Sequence, residues 1–179
     1  MGKKPRTSQG PRRTHARPSV AVVTSRYNAS ITDALREGAT GVYVRAGGRR
    51  TDITHIAAPG AFELPVLSMA AAESGLFQGV LALGCLIKGE TAHDRYIAEA
   101  VAHGLVGVSL ATGIPVAFGV LTVDTPEQAR DRAGGRRGNK GAEAMAALLE
   151  TMDSIAALGE GRTLTPARSP RPDKARRSS

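Results

Sequence analysis

Apolar residues in this chain gather in short continuous runs, separated by stretches in which they recur every three or four positions. That rhythm is what buried strands alternating with amphipathic helices produce. The first run, Val20-Ala21-Val22-Val23, ends at the polar turn Thr24-Ser25-Arg26-Tyr27-Asn28. Beyond it Ile31, Ala34, Leu35, Gly38, Ala39 and Val42 fall on one helical face, and Ser30 with Asp33 predicts a capping box at the start of that helix. Gly47-Gly48 predicts its end. Residues 51–57 predict a second strand, interrupted by Asp52 and His55. The turn Ala58-Pro59-Gly60-Ala61-Phe62-Glu63-Leu64-Pro65 then opens a helix through Val66, Leu67, Met69, Ala70 and Ala71. Pro65 suits its first turn, where a missing N–H costs nothing, and Gly75 suits its stop.

The third run, Val80-Leu81-Ala82-Leu83 after Gly79, predicts a strand covered on both faces. Lys88, Gly89, Glu90, Thr91, His93 and Asp94 fall where that strand ends, and a helix follows through Ile97, Ala98, Val101 and Leu105 until Gly113. Residues 115–123, which contain Phe118, predict a fourth strand. Thr125-Pro126-Glu127-Gln128 is a second capping box, with Pro at the first helical position. The basic, glycine-rich residues 134–141 are either a simple kink or a flexible anion-binding turn, ahead of a last helix through Ala144, Met145, Leu148, Leu149 and Ile155. Strands alternating with helices predict right-handed crossovers and a parallel sheet. The expected fold is α/β, a three-layer α/β/α sandwich around a four-stranded parallel sheet.

Composition narrows this picture. The 179 residues suffice for one ordinary domain, and with 3% aromatics and no Trp the core must be built from Ala, Val, Leu and Ile. Apolar runs are too short to cross a bilayer and the basic N-terminus lacks the apolar segment of a secretory signal, so a soluble, cytoplasmic protein without membrane contact is expected. A single cysteine, Cys85, excludes a disulfide framework and a multi-cysteine metal site. The net charge of +8 resembles a nucleic-acid signal until it is divided along the chain. Residues 1–18 carry six basic and no acidic residues, residues 160–179 six and two, and residues 19–159 twelve and fourteen. The excess therefore lies in two disordered basic tails, 1–18 and 160–179, flanking a slightly acidic domain at 19–159. Such tails attract polyanions nonspecifically; no specific nucleic-acid partner is expected.

The candidate chemistry collects in residues 84–94. Backbone N–H groups at a helix start, the Thr91 hydroxyl and nearby Lys88 can hold a phosphate, and the His93 imidazole can move protons near neutral pH. In an open α/β sheet ligands bind at the carboxyl ends of the strands. One edge is thus expected to gather Tyr27, Ala61-Phe62-Glu63 and the stretch from Cys85 to His93, with Phe118 in the fourth strand. Such a set suits a flat heterocycle and a small phosphorylated partner. Glu63 also reads simply as a helix-start acid favoured by the macrodipole. Other chemistries lack their motifs: there is no GxxxxGK[ST], no GxGxxG after the first strand and no GxSxG. His55, His93 and His103 lack ligand spacing, so no metal is expected, and Cys85 at the end of an apolar run reads as buried and inert.

Three stretches carry a family resemblance: residues 58–65, residues 83–93 (LGCLIKGETAH), and Asp131-Arg132-Ala133-Gly134 with Asn139-Lys140-Gly141. In order and spacing, over about residues 20–155, they resemble the signature segments of 6,7-dimethyl-8-ribityllumazine synthases. The resemblance implies a flavodoxin-like domain that condenses 5-amino-6-ribitylaminouracil with 3,4-dihydroxy-2-butanone 4-phosphate, with no cofactor and no metal. It implies that Tyr27 stacks on the pyrimidine, that Ala61, Phe62 and Glu63 hold the ribityl chain, and that Cys85, Leu86 and Ile87 flank the ring. Glu90 and Thr91 match the phosphate turn, and His93 the proton-transfer residue. It further implies a homo-oligomer with sites shared between subunits, in which Phe118, Arg132 and Lys140 come from the neighbour and Arg132 grips phosphate.

The physical chemistry supports these roles, since imine formation, phosphate loss and ring closure all move protons, and a planar guanidinium matches phosphate oxygens. Glu143 either aims Arg132 or is a solvated helix acid. Asp94 departs from the aromatic common after the histidine. The resemblance implies a pentamer or a sixty-subunit icosahedral shell, and the lack of extra residues in the 134–141 turn favours the shell. The alternatives are a catalytically silent binding or shell-forming relative, and a polyanion binder acting through its ends. Removing both tails, residues 1–18 and 160–179, is expected to leave turnover intact while abolishing retention on immobilised nucleic acid; loss of turnover would instead make the tails part of the machinery.

Overall fold

The computed structural model describes residues 17–160, so the two compositional tails lie outside the described residues except for Arg17, Pro18 and Glu160. Strand β1 (Val20–Ser25) leads to helix α1 (Ala29–Arg45), and a 3₁₀ turn (Arg50–Asp52) to β2 (Ile53–Ala58). Helix α2 (Leu64–Glu73), β3 (Gly79–Ile87), α3 (His93–Thr112) and β4 (Val116–Val123) follow. Helix α4 (Pro126–Arg132) and a hairpin of β5 (Ala133–Gly135) and β6 (Gly138–Asn139) precede α5 (Lys140–Gly159). The main sheet has four strands in the order β2-β1-β3-β4, all parallel.

Burial on both faces explains why the strands are apolar runs rather than alternating ones. Val20 and Val22 of β1 and Leu81 and Leu83 of β3 pack with Leu35, Tyr43, Met145 and Leu148 of α1 and α5. Their neighbours Ala21, Val23, Val80 and Ala82 point the other way, onto Leu64, Val101 and Leu105 of α2 and α3. The result is the expected three-layer, flavodoxin-like α/β/α sandwich. Among the described residues no helix is long and apolar enough to cross a membrane.

Helix ends show where local reading works and where it does not. Thr125 caps α4 as expected, accepting from the Gln128 N–H, while the Gln128 side chain accepts from the Asp124 N–H instead of closing the box on Thr125. The capping box expected at Ser30 and Asp33 is absent. Helix α1 already starts at Ala29 after Asn28, whose backbone is left-handed at φ 57°, and Asp33 pairs with Arg36. The 134–141 break is neither a kink nor a loose turn but an antiparallel hairpin.

Asn139 closes that hairpin and fastens it to the body. Its amide donates to the Ala34 carbonyl at 2.8 Å and the Ala133 carbonyl at 3.2 Å, while its carbonyl caps α5 at the Ala142 N–H. Beside it, Gly141 allows α5 to press onto α1, since a Cβ there would lie 2.2 Å from the Leu35 carbonyl oxygen. At the far end Arg17 donates to the Ala46 carbonyl and pairs with Asp153 at 2.8 Å, and the buried Tyr43 hydroxyl donates to the Pro18 carbonyl. Arg17 and Pro18, tail residues by composition, are thus joined to the domain.

Because the obstacle at Gly141 is backbone, Gly141→Ala has no soft side chain to displace and must separate the helices. It is expected to cost on the order of 3 kcal/mol, read as a lowered urea midpoint. A wild-type midpoint would show that the α1–α5 crossing is not tight.

Candidate active site

The carboxyl ends of β1, β2 and β3 surround a cavity of about 440 Å³. It opens where the connections from β1 and β3 leave in opposite directions, the topological switch point at which open α/β sheets bind ligands. Tyr27 and Asn28 enter it after β1, Gly60, Ala61, Phe62 and Glu63 after β2, and Cys85, Leu86 and Ile87 from the end of β3. Thr91 and His93 complete it at the start of α3. Most of the residues expected together are together.

Backbone geometry sets how each is presented. Asn28 donates its side-chain amide to the Cys85 carbonyl at 2.9 Å, tying the turn after β1 to the end of β3. Its left-handed backbone swings the chain into α1, and the preceding Tyr27 ring is left 73% exposed at the cavity mouth. The turn after β2 lies close by: a Cβ on Gly60 would stand 3.0 Å from Glu63 Oε2 and 3.9 Å from the Tyr27 ring. Glu63 occupies the N-terminal position of α2, makes no capping bond, and lines the cavity, so helix-start acid and site acid describe the same residue. Phe62 is also exposed, at 64%, and faces His93 and Tyr96 across a neighbouring depression.

Cys85 is buried, which pushes its thiol up to about 11. It is therefore protonated at neutral pH and contributes its backbone and a small apolar surface rather than a nucleophile. Helix α3 begins at His93 with no side chain capping it, leaving N–H groups of its first turn for an anion. Glu90 and Lys88 are exposed nearby but do not line the cavity.

Phe118, Arg132 and Lys140 lie elsewhere. They line a separate cavity of about 480 Å³ between β4 and α5, together with Glu143. The expectation that Phe118 joins the strand-end cluster is corrected by register: it pairs with Ala82, in the first half of β4 and well before that strand ends at Val123. Glu143 does not aim Arg132; it pairs with Lys140, while Arg132 donates to the Gln128 carbonyl at 3.1 Å.

Residues 17–156 match the model of the family described as 6,7-dimethyl-8-ribityllumazine synthase. The chain belongs to that family. Among its relatives, the 6,7-dimethyl-8-ribityllumazine synthases of Deinococcus deserti and Deinococcus radiodurans are both 47% identical over 135 residues. Those alignments cover 75% of this chain and 86% and 87% of the relatives. The enzyme of the same name from Nitratidesulfovibrio vulgaris is 46% identical over 132 residues, covering 74% of this chain and 85% of its own.

Within this lumazine synthase fold, sequence reading missed Asn28, Gly60 and Ile97 as cavity residues. Asn28 alone had a signal, being a polar residue at the end of a strand run and one of the few that tolerate a left-handed backbone. Its two jobs can be separated. Asn28→Gly keeps the conformation and loses the tie to Cys85, whereas Asn28→Ala loses both. Stability is expected to fall in the order Asn, Gly, Ala, with about 1 kcal/mol between successive variants in urea unfolding. Equal midpoints for all three would mean that the tie and the turn carry no stability.

Proposed function

We propose that this protein condenses 5-amino-6-(D-ribitylamino)uracil with 3,4-dihydroxy-2-butanone 4-phosphate to 6,7-dimethyl-8-ribityllumazine. Phosphate and water are released, in the penultimate step of riboflavin biosynthesis. The observation that carries this reading is the switch-point cavity, in which an aromatic ring, a carboxylate, an imidazole and an uncapped helix start meet in a member of the lumazine synthase family.

In this reading Tyr27 stacks on the pyrimidine, with Cys85, Leu86 and Ile87 along its edge, and Ala61, Phe62 and Glu63 hold the ribityl chain. Thr91, the adjacent Glu90 backbone and the start of α3 receive the phosphate, which the positive end of the helix favours. His93 stands beside that position, exposed, at the first residue of α3. The amine attacks the ketone and loses water as an imine, phosphate leaves, and the second ring closes with loss of another water. Each stage needs a proton delivered or removed, and one imidazole can serve them in turn. Holding two substrates side by side supplies much of the remaining rate. No cofactor enters the sequence.

The second cavity gives this proposal its quaternary part. Phe118, Arg132 and Lys140 line a different opening from His93 in the same chain. A neighbouring copy that presents its Arg132 side to the Tyr27 side of the first would complete each site, with Arg132 forking onto the phosphate and Lys140 beside it. Exposed apolar residues support a homo-oligomer: Leu110 is 82% exposed, and Tyr96 and Val106 on the same helix are also uncovered. A pentamer, and beyond it a sixty-subunit shell, is the assembly we infer, located in the cytoplasm.

Mixing the two substrates with the protein is expected to yield the fluorescent lumazine, and absence of product at high enzyme concentration would overturn the reaction. His93→Ala is expected to slow turnover by roughly a hundredfold without abolishing it. Chains carrying His93→Ala and Arg132→Ala, assembled together, should exceed the summed activity of the two variants alone. No gain on mixing would place both residues in one subunit's site.

A further inference from the structure

The hairpin after α4 concentrates positive charge on an otherwise slightly acidic body. Arg130, Arg132, Arg136 and Arg137 fall within eight residues. Two of these charges are spent locally, because Arg130 pairs with Glu127 at 2.9 Å and Arg136 with Asp131 at 2.9 Å. Among the described residues Arg132 donates to the Gln128 backbone carbonyl and neither it nor Arg137 makes a salt bridge, although the Arg137 charge adds to that of Arg136 in lowering the Asp131 carboxyl. Gln128, Asp131, Arg132, Arg136 and Arg137 together line a depression of about 470 Å³. Three guanidinium groups therefore face one carboxylate.

The backbone builds this arrangement. Gly135 lets the hairpin fold flat onto α4, since a Cβ there would stand 2.8 Å from the Asp131 Cα and 3.0 Å from the Arg130 carbonyl oxygen. The Arg137 N–H donates to the Asp131 carbonyl at 2.8 Å, which fixes the hairpin tip against the helix. Asp131 holds Arg136 by two hydrogen bonds, and that guanidinium in turn keeps the carboxyl below the usual range, so the acid orients one arginine. Arg132 lines both this depression and the cavity with Phe118 and Lys140. An anion on one side of Arg132 thus has a second cationic station immediately on the other.

We propose that the Arg132–Arg136–Arg137 depression is an auxiliary site for a phosphate dianion, distinct from the position beside His93, which inorganic phosphate occupies on leaving or the phosphorylated substrate on arriving. This rests on the proposed reaction for its ligand and deepens it by giving the phosphate a route past Arg132. Guanidinium groups suit it because their planar N–H pairs match phosphate oxygens. Occupancy of the site competes for Arg132, so it makes inorganic phosphate an inhibitor.

The test titrates inorganic phosphate into the full-length protein, followed by ³¹P NMR, and measures phosphate inhibition of lumazine formation for wild type, Arg137→Ala and Arg137→Lys. Arg137→Ala is expected to weaken phosphate binding and to raise the inhibition constant, each about fivefold, with kcat unchanged. Arg137→Lys should recover part of both, because it restores charge without the fork. Wild-type phosphate affinity and inhibition in Arg137→Ala, at an unaltered melting temperature, would overturn the auxiliary site. Failure of the wild-type protein to form lumazine would overturn the reaction instead, and the NMR titration would still report on the site.

Discussion

Burial of β1 and β3 on both faces is the constraint from which the rest of this structure follows. Side chains of the two central strands pack beneath helices on both faces, and their backbone groups pair with neighbouring strands, so polar chemistry has little place along their length. It is displaced to the strand ends. Because the connections from β1 and β3, through α1 and α3, leave in opposite directions, the turns after the strands part there and leave room for a ligand. The Asn28 amide on the Cys85 carbonyl holds that opening at a set width.

A single chain holds two separate cavities, which the proposed reaction treats as the halves of one site. The half at the switch point offers rings, a carboxylate and an imidazole; the half between β4 and α5 offers an arginine, a lysine and another ring. Phe118 could join the first half only if β4 were shifted along the sheet, and its register against β3 forbids that. The edge position of β4 and the uncovered apolar residues of α3 make association of copies the physically reasonable way to complete the constellation.

Charge follows the same division of labour. The folded body carries slightly more acid than base, yet four of its twelve cations fall on α4 and the hairpin, where neighbouring carboxylates offset some and leave others facing open depressions. The glycines of that hairpin serve this placement, letting a short loop lie close against a helix rather than project into solvent. Basic residues in the tails carry a larger excess, and the net charge of the chain describes them better than it describes the domain.

Much of this was legible in the residues themselves. Strand runs, helical spacing, Pro126 after Thr125, Pro65 in a first turn, and Gly75 and Gly113 at helix ends are local signals with local causes, and each marks an element that formed. The chain also declared its strand-end residues, because anything polar beside a doubly buried strand must sit at its end. Only the tertiary structure decided what depends on partners distant in sequence. Asn28 starts α1 in place of the Ser30 box because a carbonyl 57 residues away accepts its amide. The glycine-rich break became a hairpin because Asn139 reaches back 105 residues to Ala34. Strand register, not strand existence, separated Phe118 from the switch-point cavity. Periodicity records which face of an element is apolar, but it carries no information about which remote group will meet that face, and the site depends on that meeting.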